Sequence, residues 1–266
     1  LNTLALPSKA RLLVNLSSVD ELVTVCNKYS LQSKDILIIG GGSNLILPTF
    51  LDLVVLRYLG KSIQYQDIGS GNVRVKVDAG VVWDDLVDEL ANKGLCGLEN
   101  LSLIPGTVGA APVQNIGAYG VEFSDFCTQV KWFEFASQSI KSLNNIDCHF
   151  AYRNSVFKQE LYNKGIIIEV VLKFPKKWQA NLSYAGLNEF EGSPTPEQVM
   201  EKVISLREVK LPDPNKLPNA GSFFKNPIID EEKLNLLKKS YPNLPFYPQG
   251  KEQVQLAAGW LIEQAG

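Results

Sequence analysis

The sequence predicts an α+β fold. Apolar β-branched runs and amphipathic helical segments follow one another in a mixed order, without the regular strand–helix alternation of a doubly wound sheet. Hydrophobic residues make up 45% of the chain and charged residues 20%, which is typical of a packed protein. The 266 residues are enough for two domains, since a domain commonly contains about 100 to 200 residues.

Composition and charge favour a protein of the cytoplasm that binds neither nucleic acid nor membrane, and a monomer is expected. The chain has 26 Lys and Arg against 28 Asp and Glu, and the basic residues are dispersed. Its four cysteines show no C-x-x-C spacing, which favours a reducing compartment. No apolar run reaches the ~18 residues of a membrane span. No cluster of ligand-type residues predicts a metal, and His149 reads as a structural residue.

The first half of the chain begins with helical and strand signals. Ser18 and Glu21 have capping-box spacing and predict a helix over 19–29. The segments "DILII", "LDLVVLRY" and "VRVKVDAG" are β-branched runs bounded by turn residues, and each predicts a strand.

A second helix is predicted in "VVWDDLVDELANKG". Val82, Leu86 and Leu90 share one helical face, and Gly94 is placed to end the helix. Strands are then expected around 130–135 and at "GIIIEVVLKF".

A third helix is predicted after Thr195, because Pro196 suits the first helical position and Gln198 the capping-box position. The following "LPDPNKLPN" has three prolines and excludes regular structure. We expect a stiff exposed loop that delivers "GSFF" to a site.

The first glycine-rich stretch, "IIGGGSNLIL" (38–47), follows an apolar strand. Three glycines let backbone N–H groups approach an anion closely, and Ser43 and Asn44 add polar side chains. The stretch is not a Rossmann fingerprint, because Leu45 occupies the place of the third glycine, and no Walker lysine follows. A tight turn is the alternative interpretation.

The second stretch, "GLENLSLIPGTVGAAPVQNIGAYG" (97–120), has five glycines, two prolines and one charge, Glu99. An apolar loop of small residues suits a backbone packed against a flat, extended ligand, although a buried connection is the alternative. Together the two stretches indicate a phosphate-bearing aromatic cofactor, and a flavin nucleotide fits better than a nicotinamide nucleotide.

Four ordered motifs carry a resemblance to a known family. The segments "GGGSNLIL", "GLENLSLIPGTVGAAPVQNIGAYG", "YRNSVFK" and "NAGSFFKNP" resemble the signatures of the UDP-N-acetylenolpyruvoylglucosamine reductases of bacterial peptidoglycan synthesis. "LSYAGL" and "LPFYPQG" resemble the subtype with additional substrate-contacting tyrosines. The resemblance extends over nearly the whole chain.

The resemblance implies an FAD-binding domain of the p-cresol methylhydroxylase type over residues 1–205, in two subdomains that divide near 60–75. Residues 206–266 would form the N-terminal part of a smaller α+β domain that binds a UDP-sugar. The expected FAD-binding residues come from both glycine-rich stretches: Gly40, Gly41, Gly42, Ser43, Asn44, Pro105, Gly106, Thr107, Gly109, Ala110, Asn115, Ile116, Gly117, Ala118 and Gly120.

The reaction implied is the reduction of UDP-N-acetylglucosamine enolpyruvate to UDP-N-acetylmuramate, with NADPH reducing FAD. Hydride would pass from flavin N5 to the substrate, Ser222 would donate the proton, and Arg153 would hold the substrate carboxylate. This role explains a serine with no histidine base, since the only histidine is His149. The expected UDP-sugar contacts are Tyr152, Tyr184, Lys210, Asn226 and Tyr247.

One departure from the family concerns the C-terminus. The family carries a catalytic glutamate in a segment after "AAGWLIEQAG", whereas this sequence stops at Gly266, and Glu263 lies within a different motif. By this comparison the chain is expected to be truncated and to bind FAD without turnover. Two alternatives are a flavin oxidase with covalently held FAD and a non-catalytic protein that binds a nucleotide sugar.

Overall fold

The computed structural model of the chain describes residues 2–29, 33–250 and 252–266. The described chain forms two compact units, one ending at Asn219 and the other spanning Ala220–Gly266. The division expected from the sequence, after residue 205, falls inside a continuous helix of the first unit. The two units are described separately.

The first unit contains the strands β1 (Lys9–Leu16), β2 (Ile36–Ile38), β3 (Phe50–Tyr58), β4 (Ile63–Asp67), β5 (Asn72–Asp78), β6 (Gly117–Ala118), β7 (Val121–Glu122), β8 (Cys127–Glu134), β9 (Ser139–Asn144) and β10 (Gly165–Pro175). Its α-helices are α1 (Val19–Tyr29), α2 (Trp83–Asn92) and α3 (Pro196–Lys210). Short 3-10 helices lie at Ser33–Asp35, Glu99–Leu101, Val108–Ala110, Pro112–Gln114, Phe123–Asp125, Asn145–Cys148 and Val156–Lys158. The predicted helices and strands are all present, whereas β1, β4, β6, β7 and β9 were not predicted.

A small parallel sheet opens the fold, with strand order β1-β3-β2. Helix α1 connects β1 to β2 and buries Leu22 and Cys26 against this sheet. The inward residues of these strands, such as Leu16 and Leu56, are fully buried.

A five-stranded antiparallel sheet with order β4-β5-β10-β8-β9 forms the centre of the first unit. Consecutive residues of β10 face opposite sides: Ile166 and Ile168 pack with the parallel sheet, and Ile167 packs with α2 and the second glycine-rich stretch. Burial on both faces explains why β10 is a nearly continuous apolar run instead of an alternating one.

Helix α2 differs in one respect from its prediction. Leu86 and Leu90 are buried, and Gly94 adopts a φ of +69° after the helix end, as expected. Val82, however, is the residue that precedes the helix and is 42% exposed, because its extended backbone pairs with Thr107.

The helix starts show how far capping patterns predict local structure. At α3 the capping box is complete, since Thr195 and Gln198 each accept the other's backbone N–H. At α1 the Ser18 hydroxyl accepts the amide of Glu21 as predicted. The Glu21 carboxylate, however, accepts the amide of Ser17 at 2.6 Å, one residue earlier than expected.

The second unit contains β11 (Ile228–Asp230), α4 (Glu231–Ser240), β12 (Phe246–Gln249), β13 (Gln253–Leu256) and α5 (Ala258–Ala265). The strands form an antiparallel sheet with order β11-β13-β12. Leu234 from α4 and Leu256 from β13 belong to its small apolar core. None of the helices in the described ranges has the length and apolar character needed to cross a membrane.

Candidate functional site

The two glycine-rich stretches are far apart in sequence but in direct contact in the structure. The Ser43 hydroxyl donates to the carbonyl oxygen of Pro105 at 3.1 Å. The Asn44 side chain donates to the side-chain oxygen of Gln114 at 3.1 Å. Both bonds join the loop after β2 to the loop that precedes β6, so the two predicted cofactor segments form one surface.

The absence of side chains on the glycines allows this contact. A Cβ added to Gly40 would lie 2.6 Å from the Thr107 hydroxyl oxygen, which is closer than real Cβ contacts. At Gly41 the nearest atom would be the Cα of Gly106, at 3.3 Å. These glycines are therefore needed for loop–loop packing.

Unpaired backbone donors line the same surface. Within the described part of the chain, the amides of Gly41 to Asn44 donate to no protein acceptor, and the same holds for Gly106 and Thr107. Gly42 and Gly106 have φ values of +70° and +130°, which favour glycine. Successive free amides in such a conformation form an anion-binding concavity.

A cleft of about 140 Å³ runs from these loops between the parallel and antiparallel sheets. It is lined by Gly40, Thr107 and Ala110 from the loops and by the aromatic side chains of Tyr58 and Trp132. Its volume is smaller than the roughly 300–1,000 Å³ of a whole drug-sized ligand site, so it suits one end of a dinucleotide. Burial, followed by the nearby Asp78 and Glu169 carboxylates, raises the pKa of Tyr58.

The other glycines predicted to contact the cofactor are placed against protein. A Cβ on Gly109 would lie 2.5 Å from the Cβ of Ala79, and one on Gly120 would lie 2.5 Å from the Ser183 hydroxyl. A Cβ on Gly117 would lie 3.0 Å from the Cγ of Glu122. Their missing side chains therefore serve packing, and only their backbone atoms remain as cofactor contacts.

Asn115 stabilises the turn that joins the 3-10 helix Pro112–Gln114 to β6. Its φ is +47°, and its side chain accepts the amide of Ser124 at 2.9 Å and donates to Glu122 at 2.7 Å. The neighbouring Ile116 and Ala118 pack against the main core. Asn115 is itself buried, so its polar atoms are used within the protein.

Arg153 lies at the tip of a tight turn. Ala151 and Asn154 exchange backbone hydrogen bonds at 3.1 and 3.0 Å, which leaves Tyr152 and Arg153 as the two central residues. Arg153 has a φ of +51°, a conformation that costs a residue with a side chain about 1–2 kcal/mol.

Tyr184 and Lys210 come together in the first unit. The Lys210 ammonium lies 5.4 Å from the centroid of the Tyr184 ring, and that ring contacts Tyr119 edge-on with centroids 4.9 Å apart. Tyr119 belongs to the second glycine-rich stretch, so two expected substrate-binding residues are adjacent to the predicted cofactor loop.

Three expected residues lie in the second unit. Ser222 is exposed and lies outside regular structure, next to Gly221, whose φ is +64°. The Asn226 side chain accepts the amide of Ala258 at 2.9 Å and so caps the start of α5. Tyr247 is on β12, opposite Gln255.

Glu99 and Asn100 were missed as candidates. Glu99 is 3% exposed, and its carboxylate accepts the amide of Gly97 and the indole N–H of Trp178. Asn100 is completely buried and donates to the carbonyl oxygens of Tyr119 and Asn181. The signal was present in the sequence, because Glu99 is the single charge in an otherwise uncharged loop. No group of metal-ligating side chains occurs within 2–29, 33–250 and 252–266.

The glycine loops, the anion-binding amides and the aromatic cleft define a dinucleotide-binding oxidoreductase. A family model described as an FAD binding domain matches residues 10–139, which include the first glycine-rich stretch, most of the cleft and the whole second stretch. The predicted α+β fold with an FAD-binding domain is confirmed.

Curated relatives define the family more narrowly. A protein of Pseudoalteromonas translucida named UDP-N-acetylenolpyruvoylglucosamine reductase is 44% identical over 100% of this chain and 77% of its own length. The protein of the same name from Neisseria gonorrhoeae is 42% identical over 99% of this chain and 78% of its own length. The crystal structure of the Thermus caldophilus reductase aligns with a TM-score of 0.62 at 25% identity, covering 96% of this chain and 73% of the other. The chain belongs to the UDP-N-acetylenolpyruvoylglucosamine reductase family.

Proposed function

We propose that the protein catalyses the NADPH-dependent reduction of UDP-N-acetylglucosamine enolpyruvate to UDP-N-acetylmuramate. The observation that carries the proposal is the joined pair of glycine-rich loops in a chain that is 44% identical, over its whole length, to a reductase of this name. Bound FAD supplies a hydride acceptor for NADPH and a hydride donor for the enolpyruvyl group.

The loops supply what an FAD diphosphate needs. The free amides of Gly41 to Asn44 and of Gly106 and Thr107 would hold the anionic oxygens. The cleft between the sheets would hold an apolar ring, with Tyr58 and Trp132 on its walls.

Arg153 is proposed to bind the carboxylate of the enolpyruvyl group. Its planar guanidinium can donate two parallel hydrogen bonds to a carboxylate, and its charge stabilises the enolate that develops when hydride is added. The turn between Ala151 and Asn154 fixes the position of its backbone.

Ser222 is proposed to donate the proton that completes the reduction. Hydride addition places negative charge on the carbon next to the carboxylate, and a positioned hydroxyl can protonate that carbon. The serine hydroxyl is a weak acid, so the transfer depends on the charge stabilisation assigned to Arg153 and on a fixed geometry.

Tyr184 and Lys210 are proposed to bind the UDP-sugar. The 5.4 Å separation of the Lys210 ammonium from the Tyr184 ring holds a cation and an aromatic face side by side. Such a pair suits a ligand that carries both phosphate and a flat base. Tyr152, Asn226 and Tyr247 complete the proposed set of contacts.

The two half-reactions can be measured separately. In anaerobic stopped-flow absorbance of the protein with the family's C-terminal segment appended, NADPH should bleach the flavin, and UDP-N-acetylglucosamine enolpyruvate should restore its colour. Ser222→Ala should leave bleaching nearly unchanged and slow the return of colour by about 10²- to 10⁴-fold, because only the second half-reaction needs the proton.

Ser222→Cys is the matched variant, since a thiol is a proton donor of similar size and should recover part of the rate. Equal slowing of both half-reactions in Ser222→Ala would refute the assigned role. Acid precipitation provides a further control: pigment that pellets with the protein would indicate covalently bound flavin and favour an oxidase instead.

A further inference from the structure

The segment 178–187, which carries Tyr184, is attached to the second glycine-rich stretch mainly by side chains. It contains no helix or strand. Within the described chain, residues 178–183 exchange no backbone–backbone hydrogen bond with any other residue. Its apolar side chains, such as Leu187, pack with Val199 and Val203 of α3. Its hydrogen-bonded attachment to the glycine-rich stretch depends on a few specific side-chain contacts.

Glu99 makes the first of these contacts. One carboxylate oxygen accepts the indole N–H of Trp178 at 2.5 Å, and the other accepts the amide of Gly97 at 2.5 Å. Both partners are donors, and each bonds a separate oxygen of the carboxylate. The carboxylate is buried, and hydrogen bonds to a charged group contribute about 1.5–3 kcal/mol each.

Asn100 makes the second contact. Its side-chain nitrogen donates to the carbonyl oxygens of Tyr119 at 2.8 Å and of Asn181 at 3.0 Å. The Asn181 side chain returns a bond to the carbonyl oxygen of Gly120 at 2.8 Å. The end of the glycine-rich stretch and the segment 178–187 are thus joined in both directions.

The joined backbone is strained at the position of the aromatic contact. Tyr119 has a φ of +50°, and Gly120, with a φ of +83°, lies directly against Ser183. A bulky residue in this conformation persists where its surroundings hold it. The ring of Tyr119 then contacts Tyr184, whose ring lies beside Lys210.

We propose that Glu99 and Asn100 are positioning residues that fix the segment 178–187 on the glycine-rich stretch and so hold Tyr184 in place for the nucleotide sugar. The link from Glu99 to the substrate rests on the proposed function, whereas the link from Glu99 to the segment does not. Neither residue contacts the cleft assigned to FAD.

The test uses Glu99→Gln, which keeps the side-chain size but replaces one acceptor oxygen by a donor. That donor must face either the Gly97 amide or the Trp178 indole. Amide hydrogen exchange of the FAD-loaded protein should become at least tenfold faster in the segment 178–187. The dissociation constant for UDP-N-acetylglucosamine should rise about tenfold, with FAD affinity within twofold of the parent value.

Glu89→Gln is the matched control, because Glu89 also uses its carboxylate, to accept the Tyr65 hydroxyl at 2.6 Å, but lies on α2 outside this network. It should change neither exchange in 178–187 nor sugar-nucleotide binding. Trp178→Phe removes the indole donor together with part of the ring, and it should reproduce the effect if Glu99→Gln fails to fold. In the double variant the second substitution should add little to the first.

The outcomes separate the two ideas. Unchanged exchange in 178–187 for both variants would overturn the positioning role. Faster exchange with unchanged binding of UDP-N-acetylglucosamine would overturn the part of the proposal that concerns Tyr184 and the substrate. A parent protein that binds no UDP-N-acetylglucosamine would count against the proposed function, and exchange alone would then decide the role of Glu99.

Discussion

Gly40→Ala should weaken FAD binding by forcing the two glycine-rich loops apart. The added Cβ would lie 2.6 Å from the Thr107 hydroxyl oxygen, about 0.8 Å inside the 3.4 Å at which ordinary contacts begin. Overpacking of a tight contact costs about 1–3 kcal/mol. If the loops must return to their original separation to bind FAD, the dissociation constant should rise about 5- to 150-fold.

The clash involves one atom, so it can be removed by a second substitution. In Gly40→Ala combined with Thr107→Ala, the nearest remaining atoms would be the Cβ atoms of Ala110 and residue 107, at 3.5 and 3.7 Å, which are ordinary contacts. The double variant should therefore be more stable than Gly40→Ala alone. Gly259→Ala is the control, since its Cβ would meet nothing within 4 Å.

Two assays follow the effect. Urea unfolding of the apoprotein measures the cost of the clash, and quenching of flavin fluorescence on titration measures FAD affinity. The reasoning would be refuted if Gly40→Ala matched the parent in both assays, or if the double variant were no more stable than the single one.

Three further predictions concern other parts of the first unit. Arg153→Gly should change the free energy of unfolding by less than about 1 kcal/mol, because relief of the positive φ offsets the entropy of glycine. Turnover should nevertheless fall at least 100-fold. A loss of turnover that is explained by a matching loss of folded protein would contradict this prediction. Thr195→Ala should lower stability by about 1 kcal/mol in urea unfolding, because it removes the cap of α3, and an unchanged midpoint would show that the cap contributes nothing. Burial, followed by the Glu99 and Glu197 charges, raises the pKa of Cys96 to about 11. The stability that this pKa shift contributes is therefore complete below the ordinary thiol pKa of 9.0 and is lost as the pH rises to about 11. Urea unfolding at several pH values should show that the free energy of unfolding of Cys96→Ala falls less steeply with pH than that of the parent protein. Parallel pH dependences of the two proteins would refute this prediction.

Local signals in the sequence predicted most of the first unit. The β-branched run of β10 and the capping residues of α3 each specify their element through neighbouring residues. Strand β1 was missed because no glycine bounds it and because its partner β3 is distant in sequence. Val82 was misplaced because its pairing with Thr107 is a tertiary contact that helical periodicity does not contain.

The candidate site was predictable in part. The glycine-rich stretches were recognisable as ligand-binding loops, but the sequence could not show that Gly40 faces Thr107 and Gly120 faces Ser183. These glycines serve contacts between loops, a requirement that appears only when both loops are in place. Glu99 was noted only as a lone charge, because its partner Trp178 lies in a segment with no regular structure.

The most direct test of the central claim is a sequential flavin assay under anaerobic conditions. The protein with the family's C-terminal segment appended, purified with FAD, is first reduced with one equivalent of NADPH and then mixed with UDP-N-acetylglucosamine enolpyruvate. We predict complete bleaching near 450 nm, followed by full return of the absorbance and formation of one equivalent of UDP-N-acetylmuramate. A reduced flavin that regains its colour only when oxygen is admitted would contradict the account.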